Sequence, residues 1–360
     1  MHDIWNGKAI YTGTPDEVWH RIGVYVGDRK LTSAAILAEA GLNYEVSKLP
    51  LFIQAPIEQN GVTHMTMFPS RNYALTRAGV AEDPEGEGNP VQLGTVTNHY
   101  EILQNRDAFA PFDPLVEQGL IEYTAAGALA NGARVWIAAK LKGLKPSDMT
   151  VRTLKNGNPD AVEAFWLLYN GHDGVTALST TLTAIRAVCF NTVTAAMADR
   201  TFVTDEKALR ETQSVRQRKS GAAKARHSGN VKTNLAEMVK TLERTHAEFG
   251  RLMEAYRAMA QVRLTDAKIA KFFKMTFPVV EGEEWSPRRQ NQITDMQRLA
   301  IEGAGNGGGT VWDLFNGVTE WIDHEAGVDE MASINSSWFG TRRDQRQDAF
   351  RAAMNLVKAA

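Results

Sequence analysis

Residues 169–192, YNGHDGVTALSTTLTAIRAVCFNT, bring His172, Asp173, Arg186, Cys189 and Asn191 close together in the chain. A histidine beside an aspartate is the pairing of an imidazole base, or a metal ligand, with a carboxylate partner. Arg186 is suited to holding an anionic substrate. His172, Asp173 and Arg186 are therefore the catalytic candidates, and none is assigned a role from sequence. Each has an ordinary explanation beside it. Asp173-Gly174 supplies the backbone of a tight turn, and histidine tolerates an exposed turn. Cys189 sits between Val188 and Phe190, where a free cysteine is usually a small core residue.

Other patterns that could carry chemistry are weaker. The eight histidines, at positions 2, 20, 64, 99, 172, 227, 246 and 324, include no pair at i, i+4 and no zinc-type cluster. A metal assembled from His99, His172 and Asp173 is the one arrangement left open, so no metal and no cofactor is assigned. GAGNGG (303–308) formally fits G-x-G-x-x-G, but a helix-like segment precedes it and no βαβ unit follows. It reads as a connector before a helix capped by Thr310.

The strongest functional signal is basic. Residues 207–232 hold eight Lys/Arg against Glu211 alone, although the whole chain carries a formal charge of −2. Arg216, Arg218, Lys219, Lys224, Arg226 and Lys232 are interleaved with small and polar residues, as in an arm that neutralises phosphates. The plain alternative is a solvated linker. A second basic feature is one face of the segment GARVWIAAKLKG. Arg134, Trp136, Ala138 and Lys140 alternate with Val135, Ile137, Ala139 and Leu141, and Lys142 extends the charged side. Cations around an exposed aromatic would form a platform for single-stranded nucleic acid.

The elements that must position these residues are legible in outline. Residues 1–90 read as a small α+β segment. It has a helix after Thr32 or Ser33 ending at Gly41, two strand-like runs about a turn at 59–61, and an exposed acidic loop at 81–90 as boundary. Residues 91–204 read as a β-rich domain with hairpins about Asn131-Gly132 and His172-Asp173-Gly174, and AVCFNTVTAAMADR as a short helix. Residues 205–232 form the basic arm and 233–360 a helical region, with a long amphipathic helix from Asn230 to about Val262. The whole is an α+β protein: a central antiparallel sheet of hairpins, flanking helices and a helical C-terminal third.

Five stretches, LGTVTNHYEILQN (93–105), AGALANGARVWIAAKL (126–141), NGHDGVTALSTTLTAIRAVCFNT (170–192), ARHSGNV (225–231) and GTVWDLFNGVTEWIDH (309–324), occur in an order that resembles the phage- and plasmid-borne proteins of domain-of-unknown-function family 932. The resemblance implies a mobile element in a bacterial cytoplasm and transfers no catalytic residue. The order of sheet and helices is also loosely similar to phage annealing proteins of the RecT and Red-beta type. By that analogy the stripe Leu314, Val318, Trp321 and Ile322 serves the core and self-association in a homo-oligomer. The expectation is a cytoplasmic protein without membrane or signal segment that binds or anneals single-stranded DNA in recombination or replication. The alternatives are an enzyme at His172-Asp173 and a host-defence antagonist acting through protein contacts.

Overall fold

Asn131-Gly132 turns the chain as its residue types predict: Ala130, Asn131 and Gly132 take φ of 52°, 55° and 92°. The flanking strands are β-branched, aromatic and small-residue runs. In a computed structural model they form the middle of the main sheet. The structure describes residues 9–12, 24–187, 191–194, 223–225, 242–280, 282–325 and 341–360.

Strands β1 (Ile10–Tyr11) and β2 (Val24–Tyr25) precede helix α1 (Ser33–Glu39), whose N-cap Thr32 accepts from the Ala35 amide. A long hairpin of β3 (Ser47–Gln59) and β4 (Val62–Ala78) pairs through the base of β4 with β5 (Pro90–Thr97), giving a three-stranded sheet. The expected boundary at residue 90 thus falls between paired strands: the 81–90 loop closes the hairpin of β4 and β5. Short helices α2 (Asn105–Phe109) and α3 (Asp113–Glu117) lead into the main sheet.

Its long strands are β6 (Ile121–Leu129), β7 (Arg134–Leu141), β9 (Pro159–Gly171) and β10 (Leu178–Arg186). Between β7 and β9 lie α4 (Pro146–Met149) and β8 (Thr150–Thr153). Strands β11 (Asn191–Thr194) and β12 (Ala223–Ala225) follow. Among the described residues the order is β11-β10-β9-β7-β6-β1-β2, with β12 also on β10 and β8 on β9. All pairs are antiparallel except β1 with β2. The helix expected over AVCFNTVTAAMADR is corrected at 191–194. Thr192, Val193 and Thr194 are β-branched, which suits a pleated surface better than a helix, and they extend the sheet beside β10.

Period-two alternation sends Val135, Ile137, Val162, Trp166, Leu168 and Leu182 to one face, all buried in the main core. Phe112 meets Trp166 edge to face at 5.8 Å between ring centroids. The helical third covers the rest through α5 (Leu242–Gln261), α6 (Asp266–Thr276), α7 (Pro287–Glu302), α8 (Val311–Glu320) and α9 (Thr341–Lys358). Tyr256 of α5 packs on Trp312, Phe315 and Phe350, with centroids 4.9, 6.4 and 6.1 Å away. The stripe Leu314, Val318, Trp321 and Ile322 is core, none more than 7% exposed. The long helix is described only from Leu242, and the expected start at Asn230 lies outside the described residues. Fold class agrees with the patterning: antiparallel sheets, with helices concentrated in the C-terminal third.

Helices α7 and α8 cross where Gly317 has no side chain. A Cβ there would lie 2.3 Å from the Met296 carbonyl oxygen and 2.7 Å from the Ala300 amide nitrogen. Gly317→Ala is expected to destabilise the fold by about 1–3 kcal/mol through overpacking. Chemical unfolding reads this directly, and an unchanged midpoint would mean the helices do not approach so closely.

Candidate functional site

The residues singled out in 169–192 separate to opposite ends of the hairpin β9–β10. At the turn, His172 is fully buried. Its Nε2 lies 2.8 Å from Asn105 Oδ1, and its amide donates to the Ala133 carbonyl at 2.6 Å. Asn170, two residues earlier and therefore on the same face of β9, donates to the Leu103 carbonyl at 2.9 Å and to Asn105 Oδ1 at 3.2 Å. Asn105 in turn donates to the Leu42 carbonyl at 3.0 Å. With the proton on Nε2, His172 is one donor in a hydrogen-bonded set that ties the turn to the start of α2. An imidazole placed there meets no solvent-borne substrate in this conformation, so the geometry gives a base or ligand role no support.

Asp173 faces the other way and closes the turn. Its carboxylate accepts from Arg134 Nε at 2.7 Å, the Thr176 amide at 2.6 Å, the Thr176 hydroxyl at 2.7 Å and the Val175 amide at 2.9 Å. Burial pushes its pKa up, but the Thr176, Arg134 and Val175 hydrogen bonds outweigh that and hold it below the usual carboxylate range. The turn rests on β5: a Cβ on Gly94 would lie 2.5 Å from the Asp173 carbonyl carbon, so only glycine permits the approach. Tyr100 adds a hydrogen bond to the Gly171 carbonyl at 3.1 Å, and burial followed by the Asp173 charge raises its phenol pKa.

Arg186, at the far end of β10, is also fully buried. Its Nε and Nη2 donate to the two oxygens of Asp160 at 2.6 and 2.7 Å. Nη2 also reaches the Gly305 carbonyl at 2.8 Å, while Nη1 reaches the Ala304 carbonyl at 3.2 Å and Asn306 Oδ1 at 2.6 Å. All five donors of the guanidinium are thereby met. Trp312 donates its indole N–H to Asp160 at 3.0 Å and lies 5.4 Å from the guanidinium. Arg152 joins the cluster through Asp160 at 3.2 Å, the Gly305 carbonyl at 3.0 Å and Asp313. The glycine-rich loop therefore cradles arginines with its carbonyls.

Its amides point at a carboxylate the chain itself supplies. Asp313 accepts from the Gly307, Gly309 and Thr310 amides at 3.2, 3.1 and 3.0 Å. Thr310 and Asp313 form a reciprocal capping box at the start of α8. Burial pushes the Asp313 pKa up, but Arg152 and then Thr310 outweigh it and hold it low. The position that a phosphate takes at a helix N-terminus is filled from within.

The platform expected on β7 is likewise engaged internally. Trp136 is 5% exposed and packs with Ala9, Leu129, Ala138, Leu167 and Tyr169, which corrects its reading as a surface for stacking bases. Each neighbouring cation has an acidic partner at 2.7 Å: Arg134 with Asp173, Lys140 with Glu163 and Lys142 with Glu122. Arg216, Arg218, Lys219, Arg226 and Lys232 lie outside the described residues, as does Cys189. Lys224 falls in β12, whose backbone pairs with Leu178–Thr180 of β10. Among the described residues no group of three or more histidine, cysteine or acidic side chains could hold a metal ion. Nor is any helix there long and apolar enough to cross a membrane.

Asn105, Asn170, Asp160 and Arg152 were not foreseen. Parity along β9 would have found Asn170, which shares a face with Trp166, Leu168 and His172. Asp313 was visible as the third residue after the cap Thr310. Asp160 and Arg152 face each other across the β8–β9 hairpin, but the partners that reveal their role, Arg186, Trp312 and Asp313, are more distant in the chain.

A family model described as Domain of unknown function (DUF932) matches residues 92–205 and 210–356. The five stretches that suggested the resemblance all lie inside those spans. No curated protein and no solved structure matches the chain.

Because the folded-state pKa of Asp173 is depressed, its contribution is complete above the unfolded value and is lost progressively as pH falls from there through the lower folded value. Asp173→Asn is expected to cost about 1–3 kcal/mol at pH 7, the worth of hydrogen bonds to a charged group. The gap to the wild type should close as pH falls through about 4 and below. Urea unfolding of both proteins across pH tests this, and a gap independent of pH would contradict it.

Proposed function

The chain belongs to the DUF932 family, and from that premise we propose that it binds single-stranded nucleic acid through the phosphate backbone. The basic segment 207–232 is the contact, and the setting is a phage or plasmid in the cytoplasm of a bacterial host. In the sharper form of the proposal, binding serves strand annealing in recombination or replication. One observation carries the reading. Eight Lys/Arg against one Glu are concentrated in 26 residues, and within them Ala223–Ala225 is hydrogen-bonded along the edge of β10. Backbone pairing of Ala223–Ala225 with β10 fixes one point of the segment at the sheet, which limits the ordering cost when a polyanion binds.

The contact rests on charge. With Trp136 packed inside and Arg134, Lys140 and Lys142 in ion pairs, stacking on the sheet is not part of the proposal. Base identity should therefore matter little, and salt should matter greatly. Each phosphate contact on a single strand adds about 0.7 to the slope of log affinity against log salt.

Replacing Arg216, Arg218 and Lys219 together with alanine is expected to flatten that slope by about 2 and to weaken binding for all sequences alike. Lys140→Ala should leave the slope unchanged, since that cation already has Glu163. Fluorescence anisotropy with labelled single- and double-stranded DNA across a salt series measures both. Absence of binding to either at about 50 mM salt, where phosphate attraction is strong, would end the proposal. So would a triple variant with the wild-type slope.

A further inference from the structure

The β3–β4 hairpin is apolar in a way that neither the core nor the basic arm explains. Strand β5 supports only its base, pairing with Asn72–Ala78 of β4. Beyond that, among the described residues, 52–69 form a two-stranded ribbon. Pairing register places Ile53 opposite Phe68 and Ile57 opposite His64 on one face, with Val62 following at the tip. On the other face Phe52 lies opposite Pro69, Gln54 opposite Met67 and Pro56 opposite Met65. All the large apolar side chains are well exposed: Ile53 and Met65 at 59%, Met67 at 64%, Val62 at 54%, Phe52 at 51%, Ile57 at 41% and Phe68 at 40%.

An isolated two-stranded hairpin is marginally stable in water, and an ordinary antiparallel ribbon keeps one face polar. Here both faces are apolar. At roughly 100 Å² for each half-exposed side chain, the ribbon presents on the order of 700 Å² divided between its two faces, so one face-to-face contact draws on about half of that from each partner, the size of a weak interface.

We propose that this ribbon is a self-association arm, and that its occupant is the same ribbon of a second copy of the chain. Charge argues for a second copy over a charged partner. Between Leu49 and Pro69 the only acidic or basic residue apart from His64 is Glu58, so nothing steers a polyanion or a basic protein to this surface. Two such ribbons meet without like-charge repulsion, in an isologous contact of one apolar face with the same face of the partner. Pro50, Pro56 and Pro69 each remove an N–H from the ribbon. Edge-to-edge strand addition is thereby disfavoured, which leaves face-to-face packing as the contact between the two ribbons. The contact is independent of the nucleic-acid reading and stands or falls separately.

Sedimentation equilibrium of the full chain, at about 50 µM to exceed the micromolar end of affinities for interfaces of this size, tests it. The wild type should sediment at twice the 39.7 kDa chain mass, equally at low and high salt because the contact is apolar. The double variant Ile53→Glu, Met67→Glu should associate at least ~100-fold more weakly, with unchanged circular dichroism because both residues are exposed. A wild type at single-chain mass would overturn the proposal. A dimer that dissolves in high salt, or one that persists in the double variant, would overturn it equally.

Discussion

A guanidinium with no exposure to water, Arg186, sets the terms for the whole molecule. Burying such a charge costs several kcal/mol, and the cost is recovered only if geometry is good and every donor is met. Here all five are met, by a carboxylate on β9 and three groups of the 303–309 loop. Those acceptors come from places more than a hundred residues apart, so the sheet and the helical third must dock in one register for the charge to be tolerated. Trp312 and Arg152 then extend the same cluster into α8 and β8.

The pattern recurs. Arg77 is 1% exposed and paired with Asp83 at 2.6 and 2.8 Å, while donating to the Asn131 carbonyl at 3.0 Å. That ties the β4–β5 loop to the β6–β7 turn. Arg346 on α9 pairs with Asp323 in the turn that follows α8. Asn105, Asn170 and His172 do the same work without charge. Stretches inside the family match meet at these points: 93–105 against 170–176 at one end of the hairpin, and Arg186 against the segment around Trp312 at the other. Docking accounts for His172, Asp173 and Arg186, the reactive residue types that the structure describes there.

Much of the architecture was legible because it is local. The Asn131-Gly132 hairpin, the caps Thr32 and Thr310, and the alternation along 134–141 depend on neighbours within a few residues. What failed depended on distant partners. Nothing near Trp136 in the chain says that Leu167 and Tyr169 will cover it. Nothing near Arg186 announces Asp160 or the glycine-rich loop, so an interior arginine read as a ligand for substrate. Asn191–Thr194 read as helix because its place in the sheet is decided by pairing with β10.

The most direct test of this account is a double-mutant cycle on Asp160→Asn and Arg186→Met, read by equilibrium unfolding. Each single change should cost about 3–5 kcal/mol, because it leaves a buried charge without its partner. The double variant should cost little more than either, a coupling of about 3 kcal/mol or greater. Singles that are mild and additive would contradict the claim that this buried pair anchors the cluster on which the 303–309 loop and Trp312 dock.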